Sequence, residues 1–291
     1  MNETSLVDSQ KIASCVEAND NFAFEMQTAA ILSDLGTFTV SQGGTYSDPV
    51  TNKPRQFDFR AALTSHCGRV ERVVALCVEC KNILATQPLI ISGRLRSEAE
   101  SYHSFVSSRN GMQSIRGLVV RGDYPITRFV SGPDSFYPPG QFTGFSLSRY
   151  KGRSSGGSDK SAQTAESEVY DRWAQALASS ADFVATACER VSPGDSHRDT
   201  FILPIVVIPN NCLWMCCYGE NGRLTESPRE SVNLPFYVAH QYPVVFGRLR
   251  HSLHISHLHF CTTDGLVALL KELAGLEVSD RLFPDDGFGR E

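Results

Sequence analysis

The 291-residue chain has no run of about 18 apolar residues, so no segment is expected to cross a membrane as a helix. It has no basic surplus either. Its 27 Lys and Arg stand against 32 Asp and Glu, a formal net charge of −5, the opposite of the balance common in nucleic-acid binders. The N-terminus, MNETSLVDSQ, lacks a basic stretch followed by an apolar one, so no secretory signal is expected. No cysteine framework is visible. Nine cysteines are an odd number, and Cys212, Cys216 and Cys217 sit in an apolar, strand-like run. Together these absences predict a cytoplasmic protein with free, buried thiols. There is no internal repeat. What remains is a chain with 41% hydrophobic residues, ample for a substantial core.

The spacing of Phe22, Met26, Ala29, Ala30 and Leu32 predicts a helix from Asn21 to Leu35, with Asn19 and Asp20 able to cap it and Gly36 to stop it. Strands follow at Thr37–Gln42, Arg55–Leu63 and Arg72–Cys80, with a turn-rich stretch, GGTYSDPVTNKP, between the first two. The last of the three contains VVALCVEC, apolar on both faces, as a central strand is. Weaker patterns give a strand at Leu89–Ile91, a short helix at Ser97–Val106, and strands at Gly117–Arg121 and Phe142–Leu147. KGRSSGGSDKS reads as a loop and is followed by a long helix, Ala162–Arg190. The runs TFILPIVVI and LWMCCYG, joined by Pro209, Asn210 and Asn211, read as a hairpin. A strand at Ser252–Cys261 leads into an amphipathic helix, Asp264–Ala274, and an acidic, loosely attached tail. The expected class is α/β (α+β), built around one mixed sheet.

Charge placed in apolar strands is the informative feature. Asp58 lies within RQFDFRAAL, and the next strand ends Glu79-Cys80-Lys81. Residues two apart on a strand share a face, so the Glu79 carboxylate and the Lys81 ammonium project together. Pairing the two strands can bring Asp58 beside Glu79. Two close carboxylates repel and raise at least one pKa unless a divalent cation lies between them. Hard oxygen donors suit Mg²⁺, which keeps several of its waters.

Asp followed by Glu-x-Lys at the end of the next strand resembles the PD-(D/E)XK, or restriction-endonuclease-like, nuclease superfamily. Glu25, in the preceding helix, falls where many members place an additional acidic ligand. The run through Gly36, Val40, Tyr46, Asp48, Thr51, Lys53 and Arg55 looks like the linker of bacterial relatives. Phe57 stands where the motif's name has proline, at a position that varies. The likeness covers Asn21 to Ile91, and more loosely the helix around Val169–Cys188, the strand pair Phe201–Tyr218 and the C-terminal strand and helix.

The resemblance implies a restriction-endonuclease-like core and Mg²⁺-dependent hydrolysis of phosphodiester bonds, with Mn²⁺ as a substitute. Asp58, Glu79, Glu25 and the Cys80 backbone carbonyl would hold the metal, and Lys81 would orient or activate the attacking water. The implied setting is bacterial defence or DNA processing, on DNA with RNA left open, as a homodimer or with a partner protein of a defence complex. The division expected is 1–20 as an N-terminal segment, 21–150 as the core, 151–278 as a helix and β extension packed on it, and 279–291 as the tail. The competing class is a non-catalytic protein of the same fold, serving as a scaffold or sensor subunit.

Other signals have plainer readings. Cys77 and Cys80 form a CxxC, but on a strand their thiols face opposite sides, and no second CxxC matches it. His251, His254, His257 and His259 could suggest zinc, yet no acidic or cysteine partner stands at a metal-site spacing, so a half-exposed strand is expected. Trp173 and Gln175 read as core positions of a helix, with a reach of Gln175 into the active site as the alternative. Arg94, Arg96, Arg149, Lys151 and Arg153 are the candidate phosphate contacts. The acidic balance does not contradict them. A metal would neutralise Glu25, Asp58 and Glu79 locally, and Glu277, Asp280, Asp285, Asp286 and Glu291 gather near the C-terminus. Weak non-specific binding is the expectation.

Overall fold

The apolar run ending in Cys80 organises the molecule. In the computed structural model it is strand β3 (Val70–Cys80), in which every residue from Glu71 onward is buried. The residues described are 8–13, 21–48, 52–109, 112–115, 118–121, 124–150, 174–183, 197–246, 249–275 and 280–284. β3 is flanked by β2 (Pro54–Cys67), antiparallel, and by β10 (His197–Ile208), parallel. β1 (Thr39–Ser47) pairs antiparallel with β2 at the sheet edge.

Residues of alternate parity on β3 feed two cores, the period-two consequence of a strand covered on both faces. Val74, Leu76 and Val78 pack with Phe24 and Leu32 of α1 (Asn21–Asp34) and with Leu266, Leu269, Leu270 and Leu273 of α3 (Thr263–Leu273). The α3 start is fixed by the Thr262 side chain, which accepts from the Gly265 N–H at 3.1 Å. Val73, Ala75 and Cys77 pack on the opposite face with Leu177 of the helix α2, residues 174–183.

The other strands are β4 (Leu89–Leu95), β5 (Tyr102–Arg109), β6 (Met112–Ile115), β7 (Leu118–Arg121), β8 (Tyr124–Ser131), β9 (Phe142–Arg149), β11 (Leu213–Cys217), β12 (Arg229–Glu230), β13 (Asn233–Phe246) and β14 (Leu249–Thr262). Among the described residues twelve strands form one mixed sheet, ordered β1-β2-β3-β10-β14-β13-β9-β4-β11-β12, with β5 on β10 and β8 on β5; β6 and β7 pair separately. The fold is α+β: a large mixed sheet flanked by few helices. Strands from 21–150 and from 151–278 hydrogen-bond within the same sheet. Among the described residues no helix is long and apolar enough to cross a membrane.

Several expectations are corrected. The helix expected at Ser97–Val106 shrinks to a 3₁₀ turn, Glu98–Glu100, because the following residues pair with β10 and β8. β10 and β11 make no hairpin. Asn211 turns the chain in a left-handed conformation (φ 61°), and β11 joins β4 in parallel instead. β8 and β13 were not anticipated. The loose tail is overturned where it is described: Leu282 and Phe283 are buried, Arg72 donates to Asp280 and the Phe283 carbonyl at 2.8 and 2.9 Å, and Arg281 donates to the Ser135 carbonyl at 3.0 Å. The KGRSSGGSDKS loop, Lys151, Arg153, Trp173 and most of the expected long helix lie outside the described residues.

Candidate active site

The β2–β3 ladder runs out to Phe59 opposite Val78, with Arg60 opposite Cys77, and leaves Asp58 and Glu79 side by side just beyond its end. Asp58 Oδ2 accepts from the Cys80 N–H at 2.7 Å, which pins the aspartate across the strand pair. Lys81 continues past the end of β3, its own N–H donating to the Val207 carbonyl at 2.8 Å, so β10 sets its direction. Its ammonium reaches Glu79 Oε1 at 2.5 Å and Gln175 Oε1 of α2 at 3.4 Å. Asp58, Glu79 and Lys81 therefore converge, as the spacing anticipates.

α2 is held over this cluster by polar ties. The Tyr46 hydroxyl donates to the Gln175 carbonyl at 3.3 Å, and Arg60 donates to Asp182 at 2.7 Å and to the Ser179 carbonyl at 3.3 Å. Arg60 also lies 4.2 Å from the centre of the Phe57 ring. Gln175, Tyr46 and Arg60 are the neighbours that sequence reading missed or assigned to the core.

The electrostatics follow from burial. Glu79 is 5% exposed, and desolvation raises its carboxyl to about 7; Lys81 opposes the shift, while Asp58 and Glu25 add to it. Asp58 is also raised by burial, against the Cys80 N–H and Lys81. Tyr46 is pushed up to about 12 by burial, then by the negative charges of Glu79 and Asp48. Glu25 sits half-buried on α1, close enough for its charge to raise both Glu79 and the Cys80 thiol.

These donors suit a hard divalent cation. Two carboxylates that burial and repulsion push toward protonation would be relieved by it, and the Cys80 carbonyl adds a third oxygen. Mg²⁺ requires only one or two protein carboxylates besides its waters. Among the described residues no group of three or more His, Cys, Asp or Glu side chains stands ready to hold a metal. The site is therefore a carboxylate pair rather than a closed cage.

Two other candidate sites resolve differently. The cysteines described are all free, with Cys77 near Ser180 and Cys80 near Thr28, on opposite faces of β3 as expected. The histidine strand is more buried than anticipated. His257 accepts from Arg96 Nε at 3.1 Å and stacks on Tyr137 with centroids 3.8 Å apart; His259 lies between Tyr137 and Asn233 at 3.0 and 2.9 Å. Burial drives both rings to the neutral form, His259 to about 3. His254 is half-buried and meets Gln241 at 3.1 Å; the His251 side chain lies outside those described.

Arg96 is the clear correction among the basic candidates. It is 2% exposed, and its guanidinium donates to His257 and to the Pro138 and Phe142 carbonyls, so it braces the interior and does not face a phosphate. Arg94 remains partly exposed but is tied to Glu100 at 2.5 and 3.0 Å and lies over Phe145. Arg149 is half-buried and donates to the Gln87 carbonyl at 3.3 Å. No protein-family model, no curated protein and no solved structure matches this chain.

Proposed function

We propose that the chain is a metal-dependent nuclease with a restriction-endonuclease-like core that hydrolyses phosphodiester bonds, with DNA as substrate and a place in bacterial defence or DNA processing. The observation that carries this reading is the convergence of Asp58, Glu79 and Lys81 where the pairing of β2 with β3 ends. The order helix, strand, strand, with Glu25 on the helix, is the order the resemblance requires. Free thiols agree with a cytoplasmic location.

In this reading Asp58, Glu79 and the Cys80 carbonyl would hold Mg²⁺ or Mn²⁺, with Glu25 joining directly or through water. The cation supplies charge neutralisation at the phosphate and a water acidified for attack. The protein's own contribution is positional. Lys81 has three donors, of which Glu79 takes one and Gln175 another, so one is left to orient an attacking water. Gln175 fixes that ammonium, and Tyr46 and Arg60 fix the helix that carries Gln175. Asp58 is anchored by the Cys80 N–H, which would hold its carboxylate in place for a cation.

The test is cleavage of supercoiled, linear and single-stranded DNA, with RNA in parallel, in Mg²⁺ or Mn²⁺. Activity is expected to vanish in Lys81→Ala and Asp58→Asn while circular dichroism is retained. Unchanged cleavage in both variants sinks the mechanism. One observation favours a second reading, a non-catalytic scaffold or sensor: Lys81 and Glu79 satisfy each other, with no three-ligand group beside them among the described residues. It predicts no calorimetric Mn²⁺ binding at any pH, together with stable association with a partner protein.

A further inference from the structure

Helix α1 is apolar on two sides. Phe24, Thr28 and Leu32 turn inward and are buried, whereas Phe22 and Met26, one turn apart, are 63% and 47% exposed. Large apolar side chains at i and i+4 form one patch, and a helix apolar on both sides ordinarily has both of them covered. Here the outer patch is open.

Its position relates it to the carboxylate pair. Glu25 lies one turn on from Phe22 and next to Met26, and Thr28 meets the Cys80 thiol, so this stretch of α1 stands against the end of β3. Met26 Sδ accepts from Gln42 Nε2 of β1 at 3.8 Å. Gln42 pairs with Phe59, the neighbour of Asp58. Gly43 follows in a left-handed conformation (φ 61°), between the pairs Gln42–Phe59 and Gly44–Phe57. β1 therefore puts no side chain level with Asp58, and another backbone can approach closely there. Phe22, Met26 and Gln42 make an exposed rim along the side of the site that Gly43 leaves open.

The charges decide which part of a nucleic acid this rim takes. Arg55 and Arg60 on β2 and Lys81 past β3 are each committed to a carboxylate: to Asp48 at 2.6 Å, to Asp182 at 2.7 Å and to Glu79 at 2.5 Å. Little of their charge is left to grip phosphates along a strand, and that grip supplies most non-specific affinity for a duplex. A phenyl ring and a thioether offer stacking and dispersion instead. In a duplex the base faces lie on one another, so only an unpaired base can lay its face on a side chain. We infer that Phe22 and Met26 hold an unpaired base beside the bond to be cut, so that the substrate is a single strand or a frayed end. The cut rests on the nuclease reading; the contact is measurable without it.

Anisotropy of a labelled oligonucleotide of about 12 nucleotides, single-stranded or annealed to its complement, reads the contact in Ca²⁺, an oxygen-seeking cation used in place of Mg²⁺. The full chain is expected to bind the single strand more tightly than the duplex. Phe22→Ala is expected to weaken the single strand about five- to a hundredfold, the range for losing one base–aromatic stack, and the duplex by less than about twofold. Its thermal midpoint should match wild type because Phe22 is exposed. Phe22→Trp should keep the affinity, and its added indole emission should be quenched by the single strand and not by the duplex. A wild-type preference for the duplex, unchanged single-strand affinity in Phe22→Ala, or an indole blind to the single strand overturns the inference. So does equal weakening of both forms. With Mg²⁺ or Mn²⁺ restored, single-strand binding that depends on Phe22 but gives no cleavage overturns the nuclease reading and leaves the contact standing.

Discussion

Replacing Lys81 with methionine keeps the side-chain stem and deletes the charge, which isolates the electrostatic part of the site. Glu79 stands at about 7 because desolvation outweighs the help of Lys81, whose ammonium donates to it at 2.5 Å. The two side chains are only 6% and 20% exposed, so solvent does little to screen the pair. A hydrogen bond to a charged group in such surroundings contributes about 1.5–3 kcal/mol, which corresponds to roughly one to two pH units at the carboxyl. In Lys81→Met, Glu79 is therefore expected to stay protonated through neutrality. The sign for folding follows. A carboxyl raised in the folded state favours folding most below its unfolded value of 4.5, and that benefit is lost as pH rises through about 7. In the variant the loss extends to higher pH. Metal binding reports the same proton. Calorimetry with Mn²⁺ across the neutral range should find affinity rising with pH toward a midpoint near 7 in the wild type, with proton release on binding. The midpoint should move up by roughly one to two units in Lys81→Met. An unshifted midpoint, or an absence of binding at every pH, refutes the assignment of Glu79 as a ligand poised by Lys81.

Asp58→Ala strands the Cys80 N–H and should cost about 1–3 kcal/mol in urea unfolding, whereas Asp58→Asn keeps an acceptor and should cost less. If alanine and asparagine are equally stable, the strand-pinning role fails. Arg96→Ala removes donors to His257, Pro138 and Phe142 and should destabilise by about 3 kcal/mol or more; a stable variant that merely loses nucleic-acid affinity returns Arg96 to the surface. Phe283→Ala empties the place of a fully buried ring against Phe105 and should cost about 3–5 kcal/mol, against the near-zero cost of a loose tail. His103 and His259, held neutral by burial at about 4 and 3, give stability that is complete above 6.5 and lost as pH falls below it. Glu79 works in the opposite direction over 4.5 to 7, but one carboxyl faces two buried rings. The thermal midpoint should fall between pH 6.5 and 5, and a rising midpoint there would show the rings to be solvated.

The elements read correctly from sequence are those whose signal is local. β3 announces itself through an uninterrupted apolar run, and α1 and α3 through helical spacing between stop signals. The errors fall where partners distant in sequence decide the conformation. Tyr102–Arg109 could be helix or strand by composition, and its pairing with β10, residues 197–208, makes it strand. The same holds for β10 and β11, adjacent in sequence and joined by hairpin-like residues, yet each claimed by an earlier strand, β3 and β4. Parallel pairing leaves no local turn signature to read.

The candidate site divides along the same line. Asp58, Glu79 and Lys81 were legible because strand periodicity and one antiparallel pairing suffice to bring them together. Gln175 and Tyr46 were not, since Gln175 meets Lys81 across 94 residues and Tyr46 meets Gln175 across 129. Arg96 failed for a different reason. An arginine in a basic-looking stretch is expected in solvent, because a buried guanidinium is costly without partners. Here the partners are a neutral imidazole and two carbonyls, contributed by residues from 138 to 257. A charge count along the chain records that arginine as a candidate for phosphate, while its donors are already committed within the protein. The −5 balance suffers from the same blindness. It counts Glu79 as a full negative charge, although burial leaves that carboxyl near half-protonated at neutral pH even with Lys81 beside it, until a cation holds it ionised.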